Sequence, residues 1–340
     1  MGAEGAKRAT LKDVAREAGV SVGLVSRVLG GYGSYSAETA RRVIEAARRL
    51  SYQPDMLARS LRLGRSRTIG VVVSYLLSSY WTAFGRDIDA EAARHSYQAL
   101  LGTAATEADA ERAYYRTLLE HRVAGIIAAP SPAAEPVVEE LVASGLPMVI
   151  LGNNSPGIGA PRIYFRDRDA GRRATEHLLA LGHRRIAFVT GSTVQWGANE
   201  RLTGYREAMG AAGMGEDDQV VVGGSHLFDV TYEAVDRALA SSARPTALLA
   251  GNELVASAAL QCLKNRRVAI PGEVSFVMFG DPQWAAFYRP GLTTVRLPRS
   301  ELARLSVETL LTQVEGEGTV PDEQVMDVDL VVRESTAPPA

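Results

Sequence analysis

Residues 10–30 read TLKDVAREAGVSVGLVSRVLG, and their punctuation decides the first domain. Thr10 stands where a hydroxyl can cap the first free N–H groups of a helix. Leu11, Val14, Ala15 and Ala18 then fall on one face at helical spacing. Gly19 stops that helix, Val20 plugs the space behind it, and Ser21 caps a second helix over VGLVSRVLG. Helix, glycine turn, helix is the arrangement whose second helix can enter a DNA major groove. A third helix opens after Ser36, with Val43, Ile44, Ala47 and Leu50 expected inward, and ends near Tyr52-Gln53-Pro54.

Charge separates this segment from the rest of the 340-residue chain. Residues 1–67 hold 13 Lys and Arg against 6 Asp and Glu, whereas the remainder holds 24 against 33. The formal net charge of −2 is therefore a head of +7 joined to a body of −9. A polyanion partner is expected for the head only. The single cysteine, Cys262, excludes an intramolecular disulfide framework and a cysteine-built zinc site, which fits a reducing cytoplasm. MGAEGAKRAT has no apolar signal core, and no run approaches 18 apolar residues, so no membrane association is expected.

From Thr68 the pattern changes. IGVVVS, ALLGT, GIIAAP, MVILG, RIAFVT, ALLAG and VSFVMFG are short apolar runs of the kind buried parallel strands require. Helical stretches such as DAERAYYRTLLEHR and LVASAALQCLKN alternate with them. The fold class is thus an all-α helix-turn-helix head followed by an α/β core of two doubly wound lobes, with ligands expected at the carboxyl ends of the strands.

The run from Thr10 to Leu61 closely resembles the LacI/GalR (lactose and galactose repressor) family of bacterial transcription regulators. TLKDVAREAGVS, VSRVL, SAETARRVIEAARRLSYQPD and ARSL carry the resemblance. LGHRRIAFVTG, RLTGYREAM, IPGEVSFVMFGD and RPGLTTVRLP extend it through the body, which then resembles a periplasmic sugar-binding protein. The resemblance implies a tail over 1–9, a DNA-binding domain over 10–55, a hinge helix and linker over 56–66, and an effector-binding, dimerising core over 67–340. The first lobe would take about 67–165 and 298–324, the second about 166–297 and 325–335.

It also implies site residues. Ser21, Ser26 and Arg27 lie on the reading helix, where hydroxyl and guanidinium groups reach phosphates and base edges. Val22 and Gly23 occupy the pair of positions that most often selects the operator in this family. Neither has a side chain that can hydrogen-bond a base, so readout would lean on Arg27, thymine methyl contacts and DNA shape. Leu24 and Gly30 replace the usual Thr and Asn. Thr10, Leu11, Lys12, Ser34, Ser36, Thr39 and Tyr52 match positions that hold the DNA backbone or support the head. In the hinge, which opens at Asp55, Leu61 would wedge into the minor groove with Ala58 as its close-packed neighbour. The implied partners are palindromic double-stranded operator DNA, a second copy of the chain in a homodimer, and a small-molecule effector.

For the effector, Arg201 aligns with the arginine that grips hydroxyls or carboxylates, and Asn252 with a polar cleft residue. Ser74, Tyr80 and Trp81 follow the first strand, His226 stands where an aromatic often stacks, and Asp167 follows the crossover. The family's sugar-binding Asp is missing: Gly280 follows Phe279, and Asp281 comes one position later. Asp281, Asn153 and Gln283 could compensate, with Trp284 as a stacking face, or the effector differs or is absent. Five histidines without metal spacing, and no G-x-S-x-G, HExxH or phosphate-loop motif, leave no cofactor, metal or enzymatic reading. A solute-binding protein without DNA function is the rival interpretation.

Overall fold

The computed structural model describes residues 9–30, 33–52, 66–73, 78–103, 108–152, 158–193, 195–215 and 218–340. The N-terminal tail through residue 8, the hinge residues Asp55, Ala58 and Leu61, and Ser74 and Asn153 lie outside the described residues. The chain divides into two compact units, Met1–Ser66 and Arg67–Ala340.

In the first unit, α1 (Leu11–Ala18), α2 (Val22–Gly30) and α3 (Ala37–Arg49) form a three-helix head. Thr10 and Asp13 make a reciprocal capping box: the Thr10 hydroxyl accepts the Asp13 N–H at 3.4 Å, and the Thr10 N–H donates to Asp13 Oδ2 at 3.0 Å. Gly19 ends α1 in the left-handed region at φ 64°, and Arg42 of α3 donates to the Ala18 carbonyl at 2.6 Å, tying the helix end down. Val14, Val25 and Val43, one from each helix, are fully buried at the centre. Each contributes roughly 1.5–3 kcal/mol of apolar burial, which a domain this small needs. Ile44, expected inward, is 41% exposed. The buried stripe of α3 runs through Val43, Ala46 and Ala47, and Ile44 sits about 100° around the helix from Val43.

The second unit contains two six-stranded sheets. The first comprises β1 (Thr68–Val73), β2 (Gln98–Thr103), β3 (Ile126–Ala128), β4 (Met148–Leu151), β5 (Arg162–Phe165) and β11 (Glu323–Met326), all parallel, in the order β11-β5-β4-β3-β1-β2. The second comprises β6 (Ile186–Thr190), β7 (Val220–Gly223), β8 (Ala247–Ala250), β9 (Ser275–Phe279), β10 (Thr293–Arg296) and β12 (Asp329–Val331), ordered β12-β10-β9-β8-β6-β7. Only β12 runs antiparallel there. Strands β3, β4, β8 and β9 are buried along their whole length, which is why they read as continuous apolar runs.

Helices of the first sheet are α4 (Ser79–Arg94), α5 (Ala108–Glu120), α6 (Glu135–Ala143) and α12 (Arg299–Glu315). Those of the second are α7 (Asp167–Ala180), α8 (Trp196–Ala211), α9 (Phe228–Ala240), α10 (Glu253–Asn265) and the short α11 (Gln283–Phe287). The chain crosses between sheets three times: after β5, after β10 and between β11 and β12. Val325 and Met326 pair with Tyr164 and Phe165 in the first sheet, so the last crossing falls two residues beyond the 324/325 division expected from sequence.

Candidate nucleic-acid interface and effector cleft

The head presents one face of α2. Val25 and Val28 are buried, whereas Ser21, Val22, Gly23 and Arg27 are exposed and Ser26 is half-buried. Val22 with Ser26, and Gly23 with Arg27, are spaced four residues apart and share one side of the helix. The Ser21 hydroxyl accepts the Leu24 N–H at 3.3 Å, which fixes the helix start. The stem of Arg27 passes Gly33, where an added Cβ would lie 3.1 Å from its Cδ. Two further helix starts are capped by exposed hydroxyls: Thr10 on α1, and Ser36, which accepts the Thr39 N–H at 3.2 Å, on α3. Capped helix N-termini present N–H groups and positive dipole ends to an anion such as phosphate. Lys12 and Ser34 are exposed and Thr39 half-buried beside Ser36. Leu11 and Tyr52 pack on the head's core, and Leu24 is half-buried. These three residues therefore expose less of themselves than their neighbours do.

In the second unit, the lobes meet around Arg201. Gly204 of α8 and Gly171 of α7 bring these helices into backbone contact. A Cβ on Gly204 would fall 2.7 Å from Arg172 N and closer still to the Arg168 carbonyl oxygen. This approach sets Arg201 beside Asp167, with Nε 2.6 Å from Asp167 Oδ1 and a second N–H donated to the Gly251 carbonyl at 2.8 Å. The guanidinium carbon lies 4.7 Å from the centre of the Phe279 ring, a cation–π contact. Asp167 is 2% exposed. Its burial pushes the carboxyl pKa upward, and the adjacent Arg201 charge opposes the shift.

Around this pair stand other expected residues. The Asn252 side chain caps α10 through the Val255 N–H at 3.1 Å, and its amide lies 3.4 Å from His226 Nδ1. Burial lowers the His226 pKa, favouring a neutral ring. From the first lobe, Tyr80 and Trp81 meet edge to face at 5.2 Å, and Trp81 meets Phe84 in the same way at 5.5 Å. The Tyr80 hydroxyl is buried with no hydrogen-bond partner among the described residues. Burial raises its pKa, with Arg201, Asp167 and Arg299 as the charges it feels.

Asp281 is not gathered into this cluster. Oδ1 accepts from Thr294 at 2.9 Å and pairs with Arg333 at 2.8 Å, while Oδ2 takes Arg296 at 2.9 Å. Those partners hold its pKa below the usual carboxylate value against the effect of burial. Sequence reading missed a carboxylate that joins the two lobes. Glu253 of the second lobe accepts the Ser79 hydroxyl of the first at 2.5 and 2.6 Å and the Trp284 indole N–H at 3.1 Å. A second unread contact joins the lobes: Tyr164 and Trp196, edge to face at 5.2 Å.

Residues 10–55 match the family model described as bacterial regulatory proteins, lacI family, and residues 175–336 match a periplasmic binding protein-like domain. The PurR transcriptional repressor of Vibrio cholerae serotype O1 (strain M66-2) is 30% identical over 307 residues, covering 90% of this chain and 91% of that protein. The chain belongs to the lacI family. The CytR transcriptional repressor of Escherichia coli K12 is 29% identical over 328 residues, covering 96% of each. A crystal structure of the Lac repressor dimer bound to operator and an anti-inducer superposes with a TM-score of 0.84 at 28% identity, covering 97% of this chain and 100% of that one.

As a lacI-family member the chain is a helix-turn-helix transcriptional regulator with a two-lobed core, and the rival solute-binding interpretation is not favoured. Its relatives are regulators rather than enzymes. No helix among the described residues is long and apolar enough to cross a membrane.

Proposed function

We propose that this lacI-family chain is a cytoplasmic repressor that binds a palindromic operator as a homodimer and changes operator affinity when a small molecule occupies the interlobe cleft. The α2 face of exposed Val22, Gly23 and Arg27 with half-buried Ser26, together with two hydroxyl-capped helix starts in the same head, supports the DNA role. The observation that carries the effector role is the pre-set Arg201. Asp167, the Gly251 carbonyl and the Phe279 ring hold its guanidinium in place, beside a buried Tyr80 hydroxyl that has no partner among the described residues. A buried hydroxyl without a partner costs about 1–3 kcal/mol, which a bound ligand can recover.

Dimerisation is supported by exposed apolar residues on a sheet edge and on a helix. Leu100 and Leu101 on the edge strand β2 are 38% and 37% exposed, and Leu227, Phe228 and Val230 are exposed at α9. Within this reading Asp281 braces the strand ends through Arg296 and Arg333, while Leu61 and Ala58 act at the hinge.

A double dissociation tests the proposal. Leu61→Ala weakens operator binding more than about fivefold, beyond 1 kcal/mol, while leaving ligand-induced thermal stabilisation intact. Arg201→Ala abolishes that stabilisation while the ligand-free protein still binds DNA. Equal loss of both functions in both variants contradicts the division of labour.

A further inference from the structure

The crossing from β5 into α7, together with α8 and Val325 of β11, lines a second cleft of about 390 Å³, an ordinary size for a small-ligand site. Its wall includes Asp167 but none of Arg201, Tyr80, Phe279, His226 and Asn252, which sets it apart from the Arg201 cluster. Two aromatic rings form one corner of it. Tyr164 of the first lobe and Trp196 of the second stand at 79° with ring centres 5.2 Å apart, and both are half-buried. The Tyr164 ring is anchored: its hydroxyl donates to Glu323 Oε2 at 3.0 Å, and Glu323 is paired in turn with the largely buried Arg162. Burial and that carboxylate raise the Tyr164 pKa, so the phenol keeps its proton and the ring stays uncharged.

The charges in the wall are unequally committed. Arg166 pairs with Asp327 at 2.9 Å, Arg168 with Glu207 through Nε at 3.0 Å, and Arg172 with Asp169 and Glu176. Asp167 is paired with Arg201. Glu200 is the exception. It has no hydrogen bond or ion pair among the described residues, and Arg168, whose charge it feels, already serves Glu207. Glu200 is half-buried and lies one turn beyond Trp196 on the same side of α8. Rings set nearly at right angles each present a face to the angle between them, and those faces are electronegative. An aromatic corner beside an unpaired carboxylate is an arrangement that holds cations.

We propose that this cleft is a second ligand site, which takes a small organic cation, its ammonium or guanidinium head in the Tyr164–Trp196 corner and Glu200 as its counter-ion. The site goes beyond the effector reading and does not depend on it. A neutral compound gains little from the ring faces, and an anion meets the charge of Glu200. Tyr164 belongs to the first lobe and Trp196 and Glu200 to the second. A bound cation is therefore gripped from both sides and favours the lobe arrangement in which these rings meet.

Ligand-observed NMR titrations of the full chain test this with two matched pairs. Choline is compared with its neutral carbon isostere 3,3-dimethylbutan-1-ol, and methylguanidine with neutral methylurea. The expected result is saturable binding of at least one cation, about fivefold or more tighter than its neutral counterpart. Glu200→Gln weakens that cation about threefold to tenfold and leaves the neutral compound unchanged. Trp196→Leu, which keeps apolar volume but removes the ring face, weakens it about fivefold, and Trp196→Phe restores part of the loss. Glu200 makes no hydrogen bond or ion pair among the described residues, so Glu200→Gln tests recognition even if Trp196→Leu fails to fold. Neither cation saturating by about 50 mM, neutral counterparts binding equally well, or either folded variant, Glu200→Gln or Trp196→Leu, holding the cation as tightly as the parent each overturn the proposal.

Discussion

Gly204→Ala adds one methyl group where α7 and α8 touch. The new carbon would lie 2.7 Å from Arg172 N and nearer still to the Arg168 carbonyl, and both are backbone atoms that cannot rotate away. The helices must part by about 1 Å, at the upper end of overpacking costs, about 3 kcal/mol. Parting them also draws Arg201 on α8 away from Asp167 on α7, whose 2.6 Å contact is buried. Losing a partner in a buried pair adds to the cost. For a core of this size about 3 kcal/mol lowers the melting temperature by roughly 6–12 °C. Gly210→Ala is the control, on the same helix with nothing within 4 Å of the added carbon. There the lower backbone entropy of alanine leaves stability unchanged or raises it by up to about 1 kcal/mol. Circular-dichroism melts of the full chain compare the two. If Gly204→Ala melts within about 2 °C of the parent, the close helix approach does not position Arg201 as argued.

The remaining predictions concern DNA, pH and assembly. Arg27→Ala lowers operator affinity by about 1–3 kcal/mol if it reads a base edge. Fluorescence anisotropy on matched and mismatched duplexes shows whether discrimination is lost with it, and an equal loss on all sequences would make Arg27 a phosphate contact instead. His183 is buried between Thr246, Ser275 and the Ala337 carbonyl, and burial lowers its pKa below the ordinary 6.5. The unfolded chain therefore takes up its proton first, so stability present above pH 6.5 is lost as pH falls toward the lower folded value. Melts from pH 7.5 to 5 check this, and a His183→Gln protein with the same acid dependence contradicts it. Leu100→Glu, on the exposed edge of β2, yields monomers in sedimentation analysis; an unchanged sedimentation coefficient removes that edge from the interface.

The head was legible almost residue by residue because capping hydroxyls, a left-handed glycine and a valine stripe are local signals. Ile44 misled because it neighbours the true stripe on α3 and is itself apolar. Six of the seven apolar runs found interior strands, and ALLGT found the edge strand β2. They passed over RIYF, VVVG, TTVR, EQVM and DLV, which lie at or near sheet edges or lead into crossings; all but VVVG carry polar residues. Arg201, Asp167, Tyr80, His226 and Asn252 were recoverable from the family resemblance, but the hold of Asp167, the Gly251 carbonyl and the Phe279 ring on Arg201 was not. Asp281 was chosen for its proximity in sequence to Gly280, yet three partners already occupy it. Glu253 and Ser79 are 174 residues apart, and only the packing of two lobes brings them together. Gly171 and Gly204 likewise read as ordinary helical residues until two backbones meet there.

The central claim is that the basic head reads DNA under control of the core. It is tested most directly by titrating the full chain onto a duplex selected from random sequence, at salt concentrations from about 50 to 200 mM. The account predicts saturable binding that weakens about a thousandfold or more across that range as phosphate contacts lose their counterion-release advantage. It also predicts that the selected duplex outcompetes random DNA by at least about a thousandfold. Absence of salt-sensitive DNA binding, with and without candidate effectors, would contradict it.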